Sequence, residues 1–253
     1  MPQVNLRPDT LDEENRRFSQ SPLPAPVFLN SVPKSGTHLL RNILRMFVPV
    51  DRQYHRQFIQ WANMDEHRHA WHPQMNMLSW GHLFFSDRSA IELGHVRKIL
   101  LYRDPYDWVL ARARFFVSEQ FDGNMDILRS GQLGVDDLLS LMIFGIYQKA
   151  PSLNETYSHN AAAWLASAHL IGRLEDLKAH LKHLEAPEAE AYFAALFDAC
   201  GIAVPADWRE RAAKLGADVP ACVESGTCIG RGTGTELKPA DSCLAGTPVL
   251  LVN

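Results

Sequence analysis

The sequence predicts an α/β chain, three layers deep, with a central parallel sheet flanked by helices. Two observations carry that expectation. Strand–loop–helix units of the same form occupy residues 26–47 and 96–116, and a third short apolar stretch, 169–173, runs into helical patterning at 175–184. Strands that alternate with helices build parallel sheets, because every parallel pair needs a crossover connection and a helix is the usual one.

Residues 1–25 are polar and run into Pro22, Pro24 and Pro26, the pattern of a loosely held arm. An apolar stretch with strand character follows, residues 27–31, and it breaks at Val32-Pro33-Lys34-Ser35-Gly36-Thr37. Apolar residues then fall at 39, 40, 43, 44 and 47, the spacing of one helix face, with Arg41, Asn42 and Arg45 opposite. A strand, a tight glycine-containing loop and a helix N-terminus together make a phosphate cradle, since backbone N–H groups and the positive helix end point at the loop. The Walker A order is absent, because the lysine precedes the loop's only glycine. The loop is phosphate-binding in type but not that of an ATPase.

Residues 50–86 mix Tyr54, Phe58, Trp61, Trp71, Trp80, Phe84 and Phe85 with five histidines and three methionines, without a clean helical or strand period. Such side chains on irregular backbone suit either the wall of a pocket for a partly apolar molecule or a loop packed over the core. Residues 96–102 read as a strand ending at Arg103. Asp104 and Pro105 are favoured at a helix cap and first position, and that helix is expected through Phe116. Residues 135–149 and 154–168 read as two apolar, core-packed helices, and 187–200 as another, stopped by Gly201. Residues 216–253 lack a helical period and hold few large apolar side chains, which predicts an irregular tail that could cover a ligand site. The expected organisation is an arm (1–25), one α/β domain (26–215) and the tail (216–253), with no internal repeat.

At 253 residues the chain can bury one large core. A formal charge of −4 argues against a protein that coats nucleic acid, so a polyanionic ligand would need a local cluster of Lys and Arg. No apolar run reaches membrane-spanning length. Of the four cysteines, Cys222, Cys228 and Cys243 crowd the tail and form no disulfide framework, so a reducing, cytoplasmic setting is expected. His67, His69 and His72 lack metal-ligand spacing, and no metal is expected. A G-x-S-x-G elbow is missing.

Three segments fit together into one resemblance. Pro33-Lys34-Ser35-Gly36-Thr37 after a strand looks like the 5′-phosphosulfate loop of sulfotransferases that use 3′-phosphoadenylyl sulfate (PAPS). Leu100-Leu101-Tyr102-Arg103-Asp104-Pro105-Tyr106-Asp107 is similar to their 3′-phosphate segment, and Gly172-Arg173-Leu174-Glu175-Asp176-Leu177 resembles a Tyr-Glu-Asp-Leu element further on. Their order matches, and they span more than half of the chain. The resemblance implies a P-loop NTPase-like sulfotransferase fold, PAPS as sulfuryl donor with adenosine 3′,5′-bisphosphate as product, and a small-molecule acceptor. A homodimer is an open option for its assembly.

By that resemblance Lys34 would neutralise the leaving phosphate oxygen, and Ser35, Gly36, Thr37 and His38 would hold the 5′-phosphate. Arg103 would take the 3′-phosphate, its planar fork suiting two phosphate oxygens; the bland alternative is a salt bridge to Asp104 or Asp107. His82, upstream of Arg103, is the candidate base, ahead of His95, His72 and His38. Carbohydrate-acting branches often use a glutamate, for which Glu66 remains open. The sequence also departs from the family. Leu39 and Leu174 stand where adenine-gripping Trp and Tyr are usual, Ala111 replaces a serine that Arg112 or Arg114 could substitute for, and Trp80 replaces a lysine. Of the closing C-terminal loop only Ile229-Gly230-Arg231-Gly232-Thr233-Gly234 is reminiscent, with Arg231 as a candidate for the 3′-phosphate. The alternatives to a PAPS-dependent enzyme are a catalytically silent nucleotide-binding module and a nucleotide-dependent kinase.

Overall fold

A computed structural model describes residues 10–55, 58–118, 125–128 and 130–218. The chain begins with α1 (Leu11–Asn15), β1 (Val27–Ser31) and α2 (Thr37–Arg45). A 3-10 segment, Trp61–Trp71, leads to β2 (Leu78–Gly81), α3 (Asp87–Glu92), β3 (Arg97–Tyr102) and α4 (Pro105–Val117). Then come α5 (Val135–Phe144), α6 (Leu153–Asn160), β4 (Leu170–Arg173), α7 (Leu174–Lys182), α8 (Pro187–Cys200) and α9 (Trp208–Asp218).

The four strands form one sheet in the order β2-β1-β3-β4, every pair parallel, and helices flank it. The α/β expectation holds. All five residues of β1 are buried, as an inner strand of a covered parallel sheet requires. The chain leaves β1 for β2 on one side and later crosses to β3 on the other. Connections therefore diverge at the C-terminal end of β1, the place where open parallel sheets leave a crevice for ligands. Phe193, Phe197 and Trp208 join α8 and α9 to the core, with Phe47 of the segment after α2 at 4.4 Å from Phe197. Gly201 ends α8 in the left-handed conformation, as expected of a helix stop.

Three expectations need correction. Residues 10–25 are not loosely held. Leu11 and Leu23 are buried, and buried Asn15 donates its side-chain amide to the carbonyls of Arg45 and Val48, where α2 ends. Arg211 of α9 adds hydrogen bonds to Ser19 and Gln20. The polar residues of the arm satisfy carbonyls that a helix end leaves unpaired. The expected helices at 135–149 and 154–168 are shorter and less buried. Gly145 stops α5 at φ 84, α6 ends at Asn160, and Ile143, Phe144 and Leu165 are exposed. Helix α9 extends to Asp218, into the expected irregular tail; residues 219–253 lie outside the described residues. Among the described residues no helix is long and apolar enough to cross a membrane.

Candidate functional site

The loop after β1 is held by its neighbours before any ligand arrives. Val32 N–H donates to Leu101 of β3, Ser35 N–H to Val32, and the Trp108 indole of α4 to the Pro33 carbonyl at 2.6 Å. Lys34 (φ 65) and Gly36 (φ 83) are both left-handed. At Gly36 only glycine fits, because a Cβ there would also collide with the Leu174 side chain. The Ser35 amide is spent on the turn, but its fully buried hydroxyl has no hydrogen-bond partner. Thr37 Oγ1 lies 2.5 Å from Ser31 Oγ. Beyond Ser35, the amides at the start of α2 have no intrahelical acceptor, as at any helix N-terminus.

Lys34 is half-buried, with Nζ 3.8 Å above the Phe115 ring. Burial, and then the charge of Arg103, lower its pKa to about 8. The loop therefore presents a cation that nearby positive charge opposes, and a phosphate would relieve that opposition.

His82 follows β2, one residue past the strand. Its backbone N–H bonds Ile59, and its ring Nδ1 lies 2.8 Å from the Ser31 carbonyl. A carbonyl only accepts, so Nδ1 carries the proton and Nε2 keeps a lone pair. Phe58 stacks on the ring at 5.0 Å and meets His38 edge-on at 5.2 Å. Burial lowers the His82 pKa to about 4, the Ser31 hydrogen bond opposes this, and His38 and Lys34 add to it. Neutral at pH 7, the imidazole is free to take a proton but is a weak base, chiefly because of its burial.

The backbone beside His82 is fixed from below. Leu83 N–H donates to Asn30 Oδ1, and its carbonyl accepts from Asn30, Asn160 and the Trp164 indole at 2.9–3.1 Å. Asn160 ends α6, and Tyr157, one turn earlier on the same helix, donates to the Arg103 carbonyl at 2.7 Å. Helix α6 thus touches both the His82 segment and the Arg103 segment.

Arg103 leaves the C-terminal end of β3, where the sequence placed it. Its nearest carboxylate is Glu175 of α7, at 3.8 Å, not Asp104 or Asp107, and its buried Nε has no hydrogen-bond partner. Asp104 instead caps α4 through the amides of Tyr106 and Asp107. A cleft of about 380 Å³ opens here between α4 and α7.

Lys34, His38, His82 and Arg103 therefore come together at the C-terminal end of the sheet. The other histidine candidates do not. His95 precedes β3, at the opposite end of that strand, and binds the Trp71 carbonyl; exposed His72 accepts from Gln74. Glu66 is exposed on the 3-10 segment. Arg112 is buried and bonds the Met142 and Pro151 carbonyls, so it does not substitute for the serine missing at Ala111. Trp80 is buried beneath the Arg41 guanidinium at 3.8 Å. Much of the 54–85 stretch, including Tyr54, Met64, Trp71 and Met77, packs in the core. Arg231 lies outside the described residues, and among those described no three His, Cys, Asp or Glu side chains are grouped to hold a metal.

Sequence reasoning missed Asn30, Asn160, Tyr157 and Trp108. Asn30 carried a signal, as a polar residue inside an apolar strand. The other three are ordinary helix residues until the fold brings them to the loop, to Leu83 and to Arg103.

No family model matches the chain. Among curated proteins it is similar to the 4-diphosphocytidyl-2-C-methyl-D-erythritol kinases of Novosphingobium aromaticivorans (78% identity over 50 residues) and Erythrobacter litoralis (62% over 50 residues). Those stretches cover 20% of this chain and 18% of each kinase, so the chain spans less than a fifth of the length of these relatives. Among solved structures, mouse sulfotransferase SULT7A1 complexed with PAP aligns with a TM-score of 0.48 and 15% identity, over 81% of this chain and 68% of that one. Retinol dehydratase in complex with retinol and PAP aligns with a TM-score of 0.41 and 14% identity, over 77% and 65%.

Proposed function

We propose that the chain is a sulfotransferase that moves a sulfuryl group from PAPS to a hydroxyl or amine of a small, partly apolar or sugar-containing acceptor. The observation that carries this reading is the convergence of Lys34, His82 and Arg103 at the crevice end of one parallel sheet, on the motif set that resembles the family. The donor's 5′-phosphosulfate sits on the loop, held by the Ser35 hydroxyl and the amides of Gly36, Thr37 and His38, and its 3′-phosphate lies toward Arg103. The acceptor oxygen or nitrogen attacks sulfur in line with the breaking S–O bond. His82 Nε2 takes the acceptor's proton, and the electron pair of the broken bond goes to the 5′-phosphate oxygen beside Lys34. Such a loose, charge-spread displacement depends on positioning and electrostatics. The acceptor site borders the 54–85 stretch, with Phe58 and His82 as its wall. The protein acts in the cytoplasm, without a metal.

Thermal shift with adenosine 3′,5′-bisphosphate tests the reading. Ligand at ~100 times its Kd stabilises by about 2.7 kcal/mol, and no response would sink it. Turnover of PAPS with a panel of phenols, alcohols, amines and sugars then identifies the acceptor. A silent nucleotide-binding module is favoured by aliphatic Leu39, Leu174 and Ala111, and its signature is bisphosphate binding without turnover on any acceptor. A Mg-ATP arm tests the kinase alternative, for which the short similarity to kinases supplies less than a fifth of a kinase.

A further inference from the structure

We propose that Lys178 and Lys182 of α7 hold the second phosphate of the donor nucleotide, alongside Arg103, in the cleft between α4 and α7. This rests on the donor reading above and adds ligands that no sequence motif supplies.

The cleft is lined by Arg103, Asp107, Leu174, Glu175, Lys178 and Lys182, and its volume of about 380 Å³ suits a small ligand. Lys178 and Lys182 are four residues apart and so share one face of α7. Their two cations and the Arg103 guanidinium line one space. Of the two carboxylates there, Glu175 accepts from Arg173 Nε at 3.1 Å and from the Asp104 amide at 3.3 Å. Arg103 Nε, buried and without a hydrogen-bond partner, is a donor in want of an acceptor.

Leu174 connects the cleft to the loop. It packs against Gly36 and also lines the cleft, so a ligand seated on the loop reaches the lysines by crossing one aliphatic side chain. Leu174 thereby offers a flat nucleoside ring an apolar floor, and the two ends present cations. A nucleoside carrying phosphates on both sides of its ribose matches this layout; a nucleoside 5′-monophosphate uses only the loop.

Isothermal calorimetry on the full chain tests the assignment, using adenosine 3′,5′-bisphosphate and adenosine 5′-monophosphate as probes. Lys178→Ala with Lys182→Ala is expected to weaken bisphosphate binding roughly 10- to 100-fold, as for lost hydrogen bonds from charged groups, and to leave monophosphate affinity unchanged. The charge-preserving Lys178→Arg with Lys182→Arg is expected to restore binding, which a folding defect would not allow. Equal bisphosphate affinity in wild type and the double alanine variant overturns the cleft assignment while the donor reading stands. Failure of the wild type to bind bisphosphate overturns both.

Discussion

Beside the loop at 31–37 the groups that hold the backbone in place are bound at close range, whereas around Arg103 the backbone is held as closely but the guanidinium is not. The Pro33 carbonyl, the His82 ring and both polar groups of Leu83 have partners within 3.1 Å. At the other end, Arg103 meets Glu175 at 3.8 Å and Arg173 meets Asp104 at 3.9 Å, with an open cleft beside them. In the function proposed above, the first half is set before a ligand binds and the second is completed by it. That division suits a transfer reaction, in which geometry at the breaking bond decides the rate and the remote end contributes binding.

The largest effects should come from the set half. Lys34→Ala is expected to lower kcat by about 10²- to 10³-fold, the loss typical of one electrostatic stabiliser, and His82→Ala by about 10²- to 10⁴-fold, as for a general base. PAPS turnover measures both, and unchanged turnover in the His82 variant would remove it as the base. A pH profile of kcat/KM sharpens the contrast. Activity should rise as pH climbs through about 4, where His82 loses its proton, and fall above about 8, where Lys34 loses its own.

Stability should divide the halves too. Asn160→Ala removes a donor from the buried Leu83 network and is expected to cost about 1–3 kcal/mol in urea unfolding. Arg173→Ala, on the open side, should leave the urea midpoint unmoved, because its ion pairs are solvent-screened. A matching loss would break the comparison. A pH effect on stability concerns His82 itself. Its folded pKa lies below the free value of 6.5, so protonation favours the unfolded chain. Wild type should therefore lose stability relative to His82→Gln as pH falls from 6.5 toward 4, read as a difference in Tm.

What could be read from the sequence was local. The loop, the α4 cap at Asp104 and the stop at Gly201 each depend on residues within a few positions, so spacing alone reveals them. The arm was misread because Asn15 and Arg211 find their acceptors far along the chain, on carbonyls near 45–48 and in the arm. A polar side chain that caps a distant helix cannot be told from one that faces water. The reach of α5 was overstated because apolar residues at 146 and 147 continue the pattern past Gly145, where the helix stops. At the site, the residues that would meet the ligand were visible in the motifs, while those that hold them in place, Asn30, Asn160, Tyr157 and Trp108, belong to no local pattern.

Helix α6 acts as a gauge between the two halves. Tyr157 grips the carbonyl of Arg103 and Asn160 grips Leu83, three residues further along the same helix. A three-residue step along an α-helix is about 4.5 Å of axial rise, a length that side-chain substitutions elsewhere leave unchanged. The offset between the Arg103 backbone and the backbone beside His82 is thus written in helix pitch. A single-residue insertion between Tyr157 and Asn160 would turn one grip off its target while leaving every side chain of the loop intact.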